Sequence, residues 1–185
     1  MNLEDITETV KERLSEKRFI HSYSVMERCE ELAKIYGVDI EKAKLVGMAH
    51  DIAKEMPDRE RFMYIAKNNI QTDEMERANT ALLHGKIGAD ICKKEFGFTD
   101  DMVRAVEIHT TGDTNMTTLD KVLFVADCTN FSDLDCVTEL GEMDLDKAVL
   151  CILNYKIKLT IDRNNIIHPK GVMARNEMIT VQHTK

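Results

Sequence analysis

The run Val46-Gly47-Met48-Ala49-His50-Asp51-Ile52-Ala53-Lys54 decides how this chain is read. Ala43, Val46, His50 and Ala53 recur at three- and four-residue steps, the spacing of one helix face. Asp39 supplies an N-cap ahead of the run and Pro57 a stop beyond it, so the spacing predicts a helix from 39 to about 55. An adjacent histidine and aspartate in such a helix do not suit a plain core. A carboxylate is rarely buried unless it is paired or bound to a metal.

The rest of the chain repeats the pattern. Helical periodicity predicts further helices near 3–16, 18–36, 58–68, 78–96, 100–110, 117–130 and 144–164, and strand-like alternation is nearly absent. Gly37, Gly97, Gly112 and Gly141 fall near the predicted helix ends. The expected architecture is all-α: a helical bundle with a metal site at its centre. It forms one domain over 1–185, with a core at about 18–130 and a C-terminal helical extension at about 131–185.

Four histidines lie on predicted inward faces. His21 shares a stripe with Val25, Cys29, Leu32 and Tyr36; His50 lies in the run above; His84 lines up with Ile87 and Ile91; His109 follows Met102, Ala105 and Val106. Asp127 follows Leu123 and Phe124 at helical spacing. Any one of these histidines alone reads as a hydrogen-bonded core residue. Several together with Asp51 and Asp127 make a poor core and a good metal site, since imidazole with carboxylate suits iron, manganese, cobalt or zinc. Six ligands exceed what one catalytic zinc takes. With Asp51 as a shared carboxylate they suit two ions about 3.5–4 Å apart.

Lys54 follows His50 at i+4 and Asp51 at i+3, where it can clamp a phosphate oxygen. Arg18, three residues before His21, is a second phosphate contact. The turn Thr110-Thr111-Gly112 can offer hydroxyl and backbone N–H groups to an anion, through Thr111 and Gly112. His168 and His183 are expected on the surface, outside the site.

Composition limits the partners. The chain has 185 residues, 43% apolar and 31% charged, with a net charge of −8, which is ordinary for a globular protein and too acidic for nonspecific nucleic-acid binding. The start, Met1-Asn2-Leu3-Glu4-Asp5, lacks the basic and apolar segments of a signal peptide, and no apolar run is long enough to span a bilayer. Five cysteines, at 29, 92, 128, 136 and 151, show no CxxC spacing and read as small buried side chains in a reducing compartment. The expected setting is cytoplasmic. The expected partner is a small nucleotide, with no nucleic acid and no membrane; a second copy of the chain, as a homodimer, is the other candidate.

The ordered set His21, His50-Asp51, His84, His109 and Asp127 resembles the HD-domain superfamily of metal-dependent phosphohydrolases. The blocks Arg18-Phe19-Ile20-His21-Ser22, His50-Asp51-Ile52-Ala53-Lys54, Leu83-His84-Gly85, His109-Thr110-Thr111-Gly112 and Ala126-Asp127 resemble the YqeK family within it, over about residues 5–176. That resemblance implies six metal ligands, His21, His50, Asp51, His84, His109 and Asp127. It implies two divalent or mixed-valence ions, iron first, with manganese or cobalt as alternatives. It also implies symmetrical hydrolysis of diadenosine tetraphosphate to two ADP, with Asp51 and Lys54 at the reaction centre and Arg18 steadying charge. Two stretches depart from the family pattern. Asp113 stands where an arginine is usual, and Cys128-Thr129-Asn130-Phe131-Ser132-Asp133 replaces a Glu-Pro-x-Arg-like run. Two other readings therefore stay open: an HD-type phosphohydrolase acting on a nucleoside monophosphate or a guanosine polyphosphate, and a catalytically silent nucleotide-binding module.

Overall fold

The computed structural model describes residues 2–128, 139 and 141–183. Among these the chain is helical, and no strand is present. The helices are α1 (Leu3–Arg13), α2 (Glu16–Tyr36), α3 (Ile40–Ala49), α4 (Asp58–Asn68), α5 (Glu74–Ala78), α6 (Leu83–Ile91), α7 (Asp100–Ile108), α8 (Thr118–Cys128), α9 (Leu145–Asp162) and α10 (Pro169–His183). The all-α class is as expected, and no helix among the described residues is long and apolar enough to cross a membrane.

Local chemistry sets most helix ends. Asn2 and Asp5 form a reciprocal capping box on α1, Ser15 Oγ accepts from Arg18 N at the start of α2, and Asp39 caps α3 through Lys42 N. Gly37, with φ 68°, ends α2 in the left-handed region that glycine enters without strain. Pro169 opens α10, where its missing N–H costs nothing. Gly141 does not close a helix; its carbonyl accepts from the Tyr36 hydroxyl at 2.7 Å.

Three boundaries differ from the periodic reading. α3 stops at Ala49, and residues 49–56 continue in tight turns carried by Ile52 N to Ala49 O, Lys54 N to Asp51 O and Met56 N to Ala53 O. α7 likewise stops one residue before His109. The single helix expected at 78–96 is divided. An Asp73–Glu76 capping box starts α5 earlier, the chain breaks at Asn79, a 3-10 turn covers Thr80–Leu82, and α6 runs into a π-turn over Cys92–Phe96. Residues 129–130, at the expected end of the 117–130 helix, lie outside the described residues, as does Cys136. α10 arises in the tail that periodicity left without an assignment.

α2 lies along α3 and α8, α6 along α7, and α9 bridges α8 and α10. The first of these contacts depends on a bare backbone. A Cβ at Gly47 would lie 2.8 Å from Met26 Cα and 3.1 Å from Cys29 Sγ, so the two helices meet where no side chain fits. Gly47→Ala is expected to force α2 and α3 apart and to destabilise the fold by about 1–3 kcal/mol, as overpacked cores do. Urea denaturation followed by circular dichroism reads this directly, and an unchanged midpoint would show that the helices can yield at no cost.

Candidate metal centre

The helix ends converge. His21 lies in the second turn of α2, His50 and Asp51 just past α3, His84 at the start of α6, His109 just past α7 and Asp127 near the end of α8. His50, Asp51, His84 and His109 are at most 1% exposed. All six side chains meet in one cluster.

Asp51 organises that cluster by splitting its two oxygens between different neighbours. Oδ2 lies 3.5 Å from His50 Nε2 and 3.8 Å from His21 Nε2, and Asp127 Oδ1 closes this side at 3.1 Å from His21 Nε2 and 3.4 Å from His50 Nε2. Oδ1 faces His84 Nε2 at 3.2 Å and His109 Nε2 at 3.5 Å, and those two nitrogens are 3.0 Å apart. His21, His50 and Asp127 form one group able to hold a metal, and His50, Asp51 and His109 another.

Three of the histidines are aimed in the same way. His50 Nδ1 bonds Gly47 O at 2.7 Å, His84 Nδ1 bonds Ala81 O at 2.5 Å and His109 Nδ1 bonds Val106 O at 2.6 Å. Each partner is the carbonyl three residues earlier. A carbonyl can only accept, so each Nδ1 carries the proton and each Nε2 turns to the cluster. The donor set fits a metal on one further observation. His50 Nε2 and Asp51 Oδ1 are buried without a hydrogen-bond partner, a costly arrangement for a site whose function ends with protein atoms.

The electrostatics agree. Burial works against charge on His50, but Asp51 and Asp127 outweigh it and raise its pKa to about 10. Burial keeps His84 neutral, with its pKa lowered to about 4, and lowers that of His109 as well. Burial opposes ionisation of Asp51 and Asp127, yet the surrounding imidazoles hold both carboxyls far below the usual carboxylate range.

Cations ring the cluster. Arg18 donates to Asp51 Oδ2 at 2.9 Å, and Lys54 Nζ lies 3.2 Å from His84 Nε2 and 3.6 Å from Asp51 Oδ1. In the Thr-Thr-Gly turn it is Thr110 that reaches the cluster, its Oγ1 3.2 Å from His109 Nε2 and 3.3 Å from His84 Nε2. Thr111 Oγ1 instead donates to Gly112 O, and Gly112 N donates to Ile108 O. Asp113, where the sequence departs from the family pattern, is not an unbalanced charge: Lys170 of α10 pairs with it at 3.0 Å. Of the altered 128–133 stretch, Cys128 is buried, and 129–133 lie outside the described residues.

His168 corrects the expectation of a surface position. It is buried and bonds Asp73 Oδ2 at 3.0 Å. The His183 side chain lies outside the described residues. Asp73, Glu76 and His168 form a third cluster, but its groups are already engaged in the α5 capping box, the Lys86–Glu76 ion pair and the His168–Asp73 contact.

Sequence reading placed Thr110 in an anion-binding turn without singling it out as the residue that reaches the cluster, and it passed over Lys156 and Lys170. Lys156 did carry a signal. It continues the buried α9 stripe of Leu145, Val149 and Ile152 at i+4, where a lysine is out of place unless its ammonium has a task. Lys170 carried none, because its partner comes from a distant turn.

The HD domain family matches residues 18–131. The chain is 32% identical to the symmetrical bis(5'-nucleosyl)-tetraphosphatase of Bacillus subtilis (strain 168), over 97% of this chain and 99% of that one. It is 31% identical to the protein of the same name from Halalkalibacterium halodurans, over 98% of this chain and all of that one, 100%. A crystal structure of a predicted HD superfamily hydrolase involved in NAD metabolism, from Clostridium acetobutylicum, is 34% identical, with TM-score 0.92 over 97% of this chain and 98% of that one.

The aiming bonds predict a fixed tautomer. Long-range proton–nitrogen spectra of metal-free protein near neutral pH should show His84 and His109 protonated at Nδ1 and bare at Nε2. A mixture of tautomers, or the reverse assignment, would contradict the carbonyl contacts.

Proposed function

The chain belongs to the HD domain family, and from that premise we propose that it hydrolyses diadenosine tetraphosphate symmetrically to two molecules of ADP. The observation that carries this reading is the division of Asp51, with one oxygen toward His21, His50 and Asp127 and the other toward His84 and His109. A carboxylate so divided would serve two ions, which His21, His50, Asp51, His84, His109 and Asp127 would hold between them. Iron is the first choice, and manganese or cobalt suits the same mixture of imidazole and carboxylate. Such ions supply Lewis acidity, acidifying water to a nucleophile near neutral pH and offsetting phosphate charge.

The chain's own groups do the positioning. Arg18 donates to Asp51 Oδ2 and so fixes the plane of that carboxylate. Lys54, on the Oδ1 side, is the cation for a non-bridging phosphate oxygen, and Thr111 and Gly112 lie in the turn that borders the substrate path. In the reaction the water oxygen bonds to one of the two central phosphorus atoms. The bond from that phosphorus to the central bridging oxygen breaks, and the oxygen leaves with the other half of the chain. Both halves are then ADP.

Iron-loaded protein should convert diadenosine tetraphosphate to ADP as its sole nucleotide product. AMP with ATP, or no turnover in fully loaded protein, would overturn the reading. His50→Ala and Asp51→Ala should each abolish turnover and deplete bound metal while keeping the helical circular dichroism signal. Lys54→Ala should keep the metal and lose about a hundredfold in kcat, as removal of one charge-stabilising donor does.

A further inference from the structure

Arg61 lies near the start of α4, outside the cluster, and it is buried. An arginine is rarely buried unless it is paired. Its carboxylate partner is Asp58, at 2.9 Å, but the Asp58 side chain is 60% exposed, and an ion pair open to solvent holds little. The closer engagement is with backbone. Nη2 donates to Lys54 O at 2.7 Å, and Nη1 donates to Thr80 O at 3.3 Å. Nε is buried without a hydrogen-bond partner, so the terminal nitrogens alone anchor the group.

The two carbonyls belong to stretches that are remote in sequence and that both serve the cluster. Lys54 N donates to Asp51 O at 2.8 Å, and Lys54 Nζ lies 3.2 Å from His84 Nε2 and 3.6 Å from Asp51 Oδ1. Thr80 opens the 3-10 turn, and the next residue, Ala81, supplies the carbonyl that holds His84 Nδ1 at 2.5 Å. The guanidinium thus joins the backbones of two segments whose side chains, the Lys54 ammonium and the His84 imidazole, meet at the cluster. Its base is fixed as well. One turn further along α4, the Tyr64 hydroxyl donates to Asp90 Oδ2 of α6 at 2.8 Å, so α4 is fastened to the helix that carries His84. A planar fork can bond two carbonyls in fixed directions, which a single ammonium cannot.

We propose that Arg61 is a positioning residue for the proposed hydrolysis: by bonding the carbonyls of Lys54 and Thr80 it sets the spacing between the Lys54 ammonium and the His84 imidazole. The kinetic consequence rests on the proposed function, while the positioning itself is read on protein without metal or substrate.

The variant is Arg61→Met, in the full chain. In metal-free protein the His84 Nδ1–H should exchange with solvent at least about tenfold faster than in the parent, because the turn that holds it has lost an anchor. The His109 Nδ1–H, held by Val106 O on α7, is the internal control and should keep its rate. In iron-loaded protein Arg61→Met should lower kcat for diadenosine tetraphosphate about tenfold with KM unchanged, the signature of a misplaced charge-stabilising group. In a Lys54→Ala background the same substitution should cost less than about twofold, since the group it positions is gone. Equal exchange of His84 in variant and parent would overturn the assignment. So would a similar acceleration at His109, which would mark general loosening. A kcat loss that is as large in the Lys54→Ala background, or a change confined to KM, would overturn it too. Should Arg61→Met not fold, Arg61→Lys carries the same measurements, since it keeps the charge and removes the fork. A parent protein that does not hydrolyse diadenosine tetraphosphate would count against the proposed function, and the exchange comparison would still decide the role of Arg61.

Discussion

Asp51 is a carboxylate with 1% of its surface exposed, and the rest of the structure is arranged around that burial. An ionised carboxyl so far from water is sustained only by strong local partners. Here those partners are imidazoles on both of its oxygens, with Arg18 at one edge and Lys54 at the other. Bringing them together requires five helices to end or begin at one point. Close helix contacts meet that requirement, and they depend on glycine: Gly47 lets α2 approach α3, and at Gly85 a Cβ would stand 2.6 Å from Glu107 O of α7. The bundle is therefore shaped as much by what its centre must hold as by its apolar stripes.

Much of this was legible in the sequence because it depends on local spacing. The stripes placing His21, His84 and Asp127 inward are those of the observed helices, and the caps at Asp39 and Gly37 sit where their chemistry places them. The His50-Asp51 pair was less legible. Neighbours in a helical segment point about 100° apart and His50 itself keeps helical backbone angles, so that both side chains reach the cluster follows from the helices packed around them. The division of 78–96 has the same origin. Its break at Asn79 lines, together with Leu82 and Thr110, a cavity of about 330 Å³.

Contacts between remote parts of the chain escaped any local reading. Asp113 viewed alone is a carboxylate where the family pattern has an arginine; viewed with Lys170 it is half of an ion pair that fastens α10 over the Thr-Thr-Gly turn. Gly171 makes the same junction possible, since a Cβ there would come within 3.2 Å of Thr111 O. His168 is held by Asp73 across ninety-five positions of sequence. The last helices thus set Lys156 against Thr110 and Lys170 against Asp113, contacts that no local spacing announces.

The bonds from His50, His84 and His109 back to the carbonyl three residues earlier have a consequence for how the centre tolerates change. Each imidazole is oriented by its own stretch of chain, so its direction does not depend on whichever ion is nearby. The rotamer entropy of these side chains is lost when the helices form, and little ordering is left for an incoming ion to impose. A centre built this way behaves as a rigid socket. Its donor directions are those of the folded chain, so filling it would ask for no refolding of the surrounding helices.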